Sequence, residues 1–117
     1  SQQVSPQASI DTDYDAGESD LTITHNSGDA IIATEVYLRG SDFNKSNANY
    51  NWSKYNQSQG GNYWSASLSG EVENQEAVTA GDRLEVGAND TYELRVVWES
   101  SDGDTSDTLI EDTGPQA

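Results

Sequence analysis

Three aspartates at alternate positions, Asp11, Asp13 and Asp15, run into Ala16-Gly17 in the stretch DTDYDAGESD, residues 11–20. Oxygen ligands at that spacing open many calcium-binding loops. A helix–loop–helix calcium site also needs glycine at loop position 6 and a bidentate glutamate at position 12. Counted from Asp11, those positions hold Ala16 and Thr22, and no helical pattern flanks them. Strand alternation explains the same spacing without a ligand, by placing the three carboxylates together on one wet face. The run SSDGDTSD, with Asp102, Asp104 and Asp107, has a similar look and reads as a tight turn between strands. His25 is the only histidine, so neither a metal cluster nor a catalytic triad finds a second imidazole. It is expected to pack or hydrogen-bond at a strand end. Cysteine is absent, which removes disulfides, thiolate metal sites and cysteine nucleophiles. Paired carboxylates say little about glycosidase chemistry in so acidic a chain, and no glycine loop could cradle phosphate. The chain is therefore read as a non-enzyme with no cofactor and no resident metal.

Residues 41–65, SDFNKSNANYNWSKYNQSQGGNYWS, carry a different chemistry. Asn44, Asn51 and Asn56 each begin an N-x-Ser acceptor for N-glycosylation, and Asn89 begins an N-x-Thr one. Tyr50, Trp52 and Tyr55 alternate with amides, a combination that suits stacking on sugars or on a neighbouring protein. They are the candidate contact or adhesion surface, whereas Tyr63 and Trp64 could equally fold back and cap the body.

Charge constrains what these groups can meet. Twenty-one Asp and Glu oppose five Lys and Arg, a formal net charge of −16, and Lys45 and Lys54 are the only lysines. In dilute buffer such a body repels itself; in molar salt the screening length falls to about 3 Å and most of that penalty goes. The acids are spread along the chain instead of forming one tail. These features point to a protein of a hypersaline organism. Nucleic acid is disfavoured as a partner, because phosphate contacts need a basic face. The longest apolar run is about four residues, against the ~20 that a membrane-spanning helix requires.

Elements that could position these groups follow period two. Ala8, Ile10, Thr12 and Tyr14 share one side of a strand, with Ser9, Asp11, Asp13 and Asp15 on the other. Residues 17–20 turn the chain, and Leu21, Ile23 and His25 alternate with Thr22 and Thr24. Asn26 to Asp29 reads as a second turn. Val36 and Leu38 alternate with Tyr37 and Arg39, and Gly40 is expected to close that strand. After the turn 80–82 come Leu84 to Val86. A separate strand follows, with Tyr92, Leu94, Val96 and Trp98 on one face, and a short final one at Thr108 to Ile110. The expected fold is all-β, an antiparallel, immunoglobulin-like β-sandwich of about six to eight short strands with one long Asn/Tyr-rich surface loop. Residues 1–7 read as a linker, 8–115 as the body and 116–117 as a tail, with 41–65 a surface excursion.

Four stretches, LTITHNSGDAI (21–31), EVYLRG (35–40), AGDRLEV (80–86) and LRVVWESSDGDTSDTLIEDTGP (94–115), together resemble the C-terminal globular region of haloarchaeal type IV pilins. That family typically shows a Thr-His-x-Gly-Gly-Asp stretch, where Ser27 stands in place of the first glycine. It often ends in a Val-x-Trp-x-Ser strand, a glycine turn and Gly-Pro, matched by Trp98, Ser100, Gly103, Ser106, Leu109, Gly114 and Pro115. The resemblance implies the headpiece of an extracellular filament, with other copies of the chain in a helical array as partners. It also implies an apolar N-terminal helix, joined through SQQVSPQ, that contacts a membrane before assembly. The alternative is a secreted or anchored, non-filamentous module that binds a glycan or a surface-layer protein.

Overall fold

The computed structural model describes residues 4–44, 62–64, 72 and 76–117. The fold is all-β, antiparallel and sandwich-like. The strands are β1 (Ala8–Asp15), β2 (Asp20–Gly28), β3 (Ile31–Ile32), β4 (Val36–Phe43), β5 (Asn62–Tyr63), β6 (Ala77–Val78), β7 (Arg83–Glu99) and β8 (Ser106–Thr113). A 3-10 turn, Ala33–Glu35, leads into β4. The main sheet runs β1-β2-β7-β4-β5 with β8 also on β7, and β3 and β6 form a small separate pair.

Alternation places the side chains as expected. Along β1, Ile10 is buried and Thr12 and Tyr14 half-buried, while Ser9, Asp11, Asp13 and Asp15 are exposed. Leu21, Ile23 and His25 of β2 are all fully buried. One contiguous core joins Ile10, Leu21, Ile23, Leu84 and Val86 from one half of the sheet to Val36, Leu38, Leu94, Val96 and Trp98 from the other. Each such aliphatic side chain contributes roughly 1.5–3 kcal/mol by leaving water.

The main departure from expectation is β7. The segments around Leu84 and Tyr92 are not separate short strands but one strand of 17 residues. Gly87 to Thr91 read as a break, yet none of these residues adopts a positive φ, so nothing turns the chain. Three neighbours occupy the backbone groups of this middle stretch. Ala88 N–H donates to Ser19 C=O, Asn44 N–H to Gly87 C=O, and Gln116 N–H to Asp90 C=O. The first half of β7 pairs with β2 and the second half lies between β4 and β8. A single strand therefore belongs to both halves of the sandwich.

Other boundaries shift for similar reasons. The Asn26–Asp29 turn is not where β2 ends; the strand continues to Gly28 across a bulge opposite Ser9 and Ile10. Gly40 does not close β4. It sits mid-strand at φ +144°, so close to β7 that a Cβ there would lie 1.8 Å from Glu93 O. The 41–65 excursion is shorter than its sequence suggests, because residues 41–43 remain in β4 and Tyr63 pairs with Tyr37. Trp64 is completely buried, which settles that Tyr63 and Trp64 fold back onto the body. Val97 and Tyr37 are buried despite facing away from the main core. The linker ends before residue 7, since Gln7 N–H donates to Asp29 Oδ2 and Gln7 C=O accepts from Asp29 N–H.

Gly40 and Gly81 separate two kinds of glycine requirement. Gly81 has φ +96°, and a Cβ added there would meet no atom within 4 Å, so Gly81→Ala should cost only the conformational penalty of about 1–2 kcal/mol. Gly40→Ala adds a backbone collision and should cost about 4 kcal/mol or more. Urea unfolding of both variants in molar salt measures the difference.

Candidate functional site

Turn geometry accounts for several of the aspartates that suggested metal. Asp15 Oδ1 accepts from Gly17 N–H at 3.0 Å and from Glu18 N–H at 3.2 Å, closing the β1–β2 turn. Asp102 Oδ1 accepts from Ser100 Oγ–H at 2.6 Å and Asp104 N–H at 2.9 Å, while Thr105 N–H donates to Ser100 Oγ. Gly103 completes that turn at φ +78°. Asp82 Oδ2 takes the Thr79 N–H at 2.7 Å and its hydroxyl at 3.2 Å. Short polar side chains bond locally to the backbone in this way wherever a chain reverses. Asp11 and Asp13 stand exposed beside Asp15 on the outer face of β1. Among the described residues no three acidic or imidazole groups converge as metal ligands.

His25 has a structural position. Its ring is fully buried, and its Nε2–H donates to Asp29 C=O at 2.8 Å. A carbonyl can only accept, so Nε2 carries a proton, and Nδ1 has no partner among the described residues. The backbone on either side is fastened too, with His25 N–H on Asp82 C=O and Gly81 N–H on His25 C=O. Gly28 follows at φ +100°, where a Cβ would lie 2.2 Å from Gln7 O. The histidine and glycine of the THNSGD stretch are thus the clasp between the start of β1 and the end of β2.

One polar cluster does not follow from alternation. Asp112 of β8 accepts from the Thr12 hydroxyl of β1 at 2.9 Å and from the Tyr92 hydroxyl of β7. The Tyr14 ring lies 5.1 Å from that of Tyr92, and its hydroxyl donates to Ala88 C=O. A half-buried carboxylate thereby ties the two halves of the sandwich together. The only hint in the sequence is that Asp112 shares parity with Ile110, across an unbroken register with Leu94 and Val96.

The outer face of β5-β4-β7-β8 gathers the remaining functional chemistry. Tyr37 and Tyr63 stack with centroids 5.0 Å apart, and Arg39 lies over the Tyr37 ring while pairing with Glu99 at 3.3 Å. Burial, then Tyr63 and Glu99, pushes the Tyr37 phenol up to about 12. The Tyr92 phenol is also raised, by burial and then by its hydrogen bond to Asp112. Register places Arg39 opposite Arg95, and Arg95 opposite Glu111. Of the glycosylation acceptors, Asn89 is exposed on β7 and Asn44 is half-buried at the end of β4. Asn51 and Asn56, like the contact candidates Tyr50, Trp52 and Tyr55, lie outside the described residues.

No protein family matches this chain, and no curated protein matches it.

Two outcomes test this geometry. Asp112→Ala should cost about 2–3 kcal/mol, because two hydroxyls lose a charged acceptor, whereas exposed Asp107→Ala should stay within about 0.5 kcal/mol; chemical denaturation compares them. Unfolded tyrosine ionises near pH 10, while folded Tyr37 resists to about 12. The folded state is therefore unaffected by this group below pH 10 and loses stability as the pH rises from 10 to 12. Unfolding midpoints across that range, with absorbance of the phenolate, should show this decline.

Proposed function

We propose that the chain is the headpiece of an extracellular filament subunit, an archaeal type IV pilin of a halophile, and that it serves attachment or cell contact. One observation carries this reading: several of the residues that bear the resemblance, His25, Gly28, Trp98, Ser100, Gly103 and Gly114, hold the body together. His25 and Gly28 fasten the start of the sandwich. Trp98 is buried, and its indole N–H donates to Glu35 Oε1 at 3.0 Å. Ser100 and Gly103 form the β7–β8 turn. Gly114 passes so near β7 that a Cβ would lie 2.3 Å from Asp90 O.

The surface suits the same role. No described carboxylate is fully buried, so the acid is available to brine and to neighbouring subunits. In this reading an apolar helix upstream of SQQVSPQ supplies cohesion by packing against its copies. The headpieces coat the filament and neighbour one another laterally, with molar salt screening their repulsion. Tyr50, Trp52 and Tyr55 provide contact surface for a glycan or a cell-surface protein. Exported material carries N-glycan at exposed Asn89 in preference to half-buried Asn44.

Gold-labelled antibody against this chain should decorate thin filaments on intact cells, and the gene should encode ~20 apolar residues shortly before Ser1. Label confined to a non-filamentous surface, with a cleaved secretory signal or another domain directly upstream, would instead establish the binding module. Peptide mapping of native protein should find the glycan on Asn89; a bare Asn89 contradicts the glycosylation component.

A further inference from the structure

A groove of about 420 Å³ lies on the β4-β7-β8 face, within the roughly 300–1,000 Å³ range of small-ligand sites. Three register rows build it. The middle row is Gly40, Leu94 and Asp112. Leu94 is buried and Asp112 bonds inward to Thr12 and Tyr92, while Gly40 has no side chain at all. Peptide backbone is therefore left as the floor. One wall is the row Ser41, Glu93 and Thr113; the other holds Arg95 and Glu111. Beyond Ser41 the register slips, and Asp42 adopts φ +61°, so β4 bends there and the groove opens at that end.

The walls are rich in hydrogen-bonding groups that the fold does not use. Arg95 is exposed and has no ion-pair or hydrogen-bond partner among the described residues, although Glu111 stands opposite in register. Five N–H donors in a planar fork are thus left free. Glu93 takes only the Ser41 hydroxyl among the described residues, at 3.3 Å, which leaves acceptor capacity on both of its oxygens. Glu111 and Thr113 are also exposed. Arg39, opposite Arg95 on β4, is neutralised by Glu99 and adds no second free cation.

We propose that this groove binds a neutral hexopyranose unit, free or as part of a glycan. Vicinal hydroxyls both donate and accept. Carboxylates on the two walls match the first property and the Arg95 fork the second, and the backbone floor between the walls offers a flat surface to the C–H face of a ring. A carboxylated or sulfated sugar is disfavoured, because it would face Glu93 and Glu111 in a chain of net charge −16. An ammonium ligand carries donors alone and leaves the Arg95 fork without an acceptor, whereas a sugar hydroxyl serves both walls. In molar salt, long-range attraction is screened for any ligand, so recognition falls to hydrogen bonds and contact. The groove is open and its hydrogen bonds are exchanged with water, which puts the affinity in the millimolar range. This assignment stands whether or not the domain coats a filament.

The test is an amide NMR titration of the 117-residue chain in molar NaCl. The ligands are D-glucose, D-galactose, D-mannose and N-acetyl-D-glucosamine, with D-glucuronate and lysine ethyl ester as charged controls. At least one neutral sugar should move the amides of Ser41, Glu93, Arg95, Glu111 and Thr113 in a saturable way. Arg95→Ala and Glu111→Gln should each weaken that binding about tenfold, while amides outside the groove keep their positions. Three results overturn the proposal: no saturable shift from any neutral sugar, shifts that survive both substitutions, or tighter occupation of the groove by glucuronate or the lysine ester.

Discussion

A body of net charge −16 with a modest apolar content folds because almost all of its strand carboxylates keep off the core side, Asp112 being held inward by two hydroxyls. Period-two alternation meets that constraint. Asp11, Asp13 and Asp15 stand outside on β1 while Ile10, Thr12 and Tyr14 turn inward, and the same rule runs through β2 and most of β7. A slip of one residue in any of these strands would carry carboxylates into the core and Leu or Ile into brine. The charge that destabilises the folded state by self-repulsion thus also fixes the register.

β7 converts this local rule into a fold. Its 17 residues present Leu84 and Val86 to one half of the sandwich and Leu94, Val96 and Trp98 to the other, so a single core is formed instead of two. The crossing is covered by backbone bonds from Ser19, Asn44 and Gln116, and Asp112 ties β8 back to β1. Solvation is therefore only part of what the acid does. Asp15, Asp82 and Asp102 hold turns by accepting backbone N–H groups, and Asp102 is kept below the usual carboxylate range first by Ser100 and then by Asp104. An acidic composition suited to brine also supplies the acceptors that a turn-rich β-protein needs.

Much of this was legible in the residues. The all-β class, the two faces of β1, the buried side of β2 and the packing role of His25 follow from alternation and from the lack of a second imidazole. Strand ends were harder to read, because Gly28, Gly40 and Gly87 look alike in sequence. Gly40 marks close approach of two strands, Gly28 relieves a clash at positive φ, and Gly87 is ordinary extended backbone. The interlayer role of Asp112 and the β4-β7-β8 groove were invisible, since both arise from pairing between strands far apart in the chain. Trp64 joined the core for the same reason, with β5 fixing its approach through Tyr37 and Tyr63. On the proposed filament, the packing demands of the sandwich fall at its turns and crossing points, which leaves Glu93, Arg95, Glu111 and Thr113 exposed on the outer sheet face to meet other surfaces.

Among the described residues the carboxylates face salt water or close turns, and no three of them converge on a divalent ion. Unfolding free energy measured in NaCl and in CaCl₂ at matched ionic strength tests it most directly. Stability should rise from dilute buffer to molar salt, following ionic strength and equally for both cations. A saturable gain at micromolar calcium, absent with sodium, would contradict it.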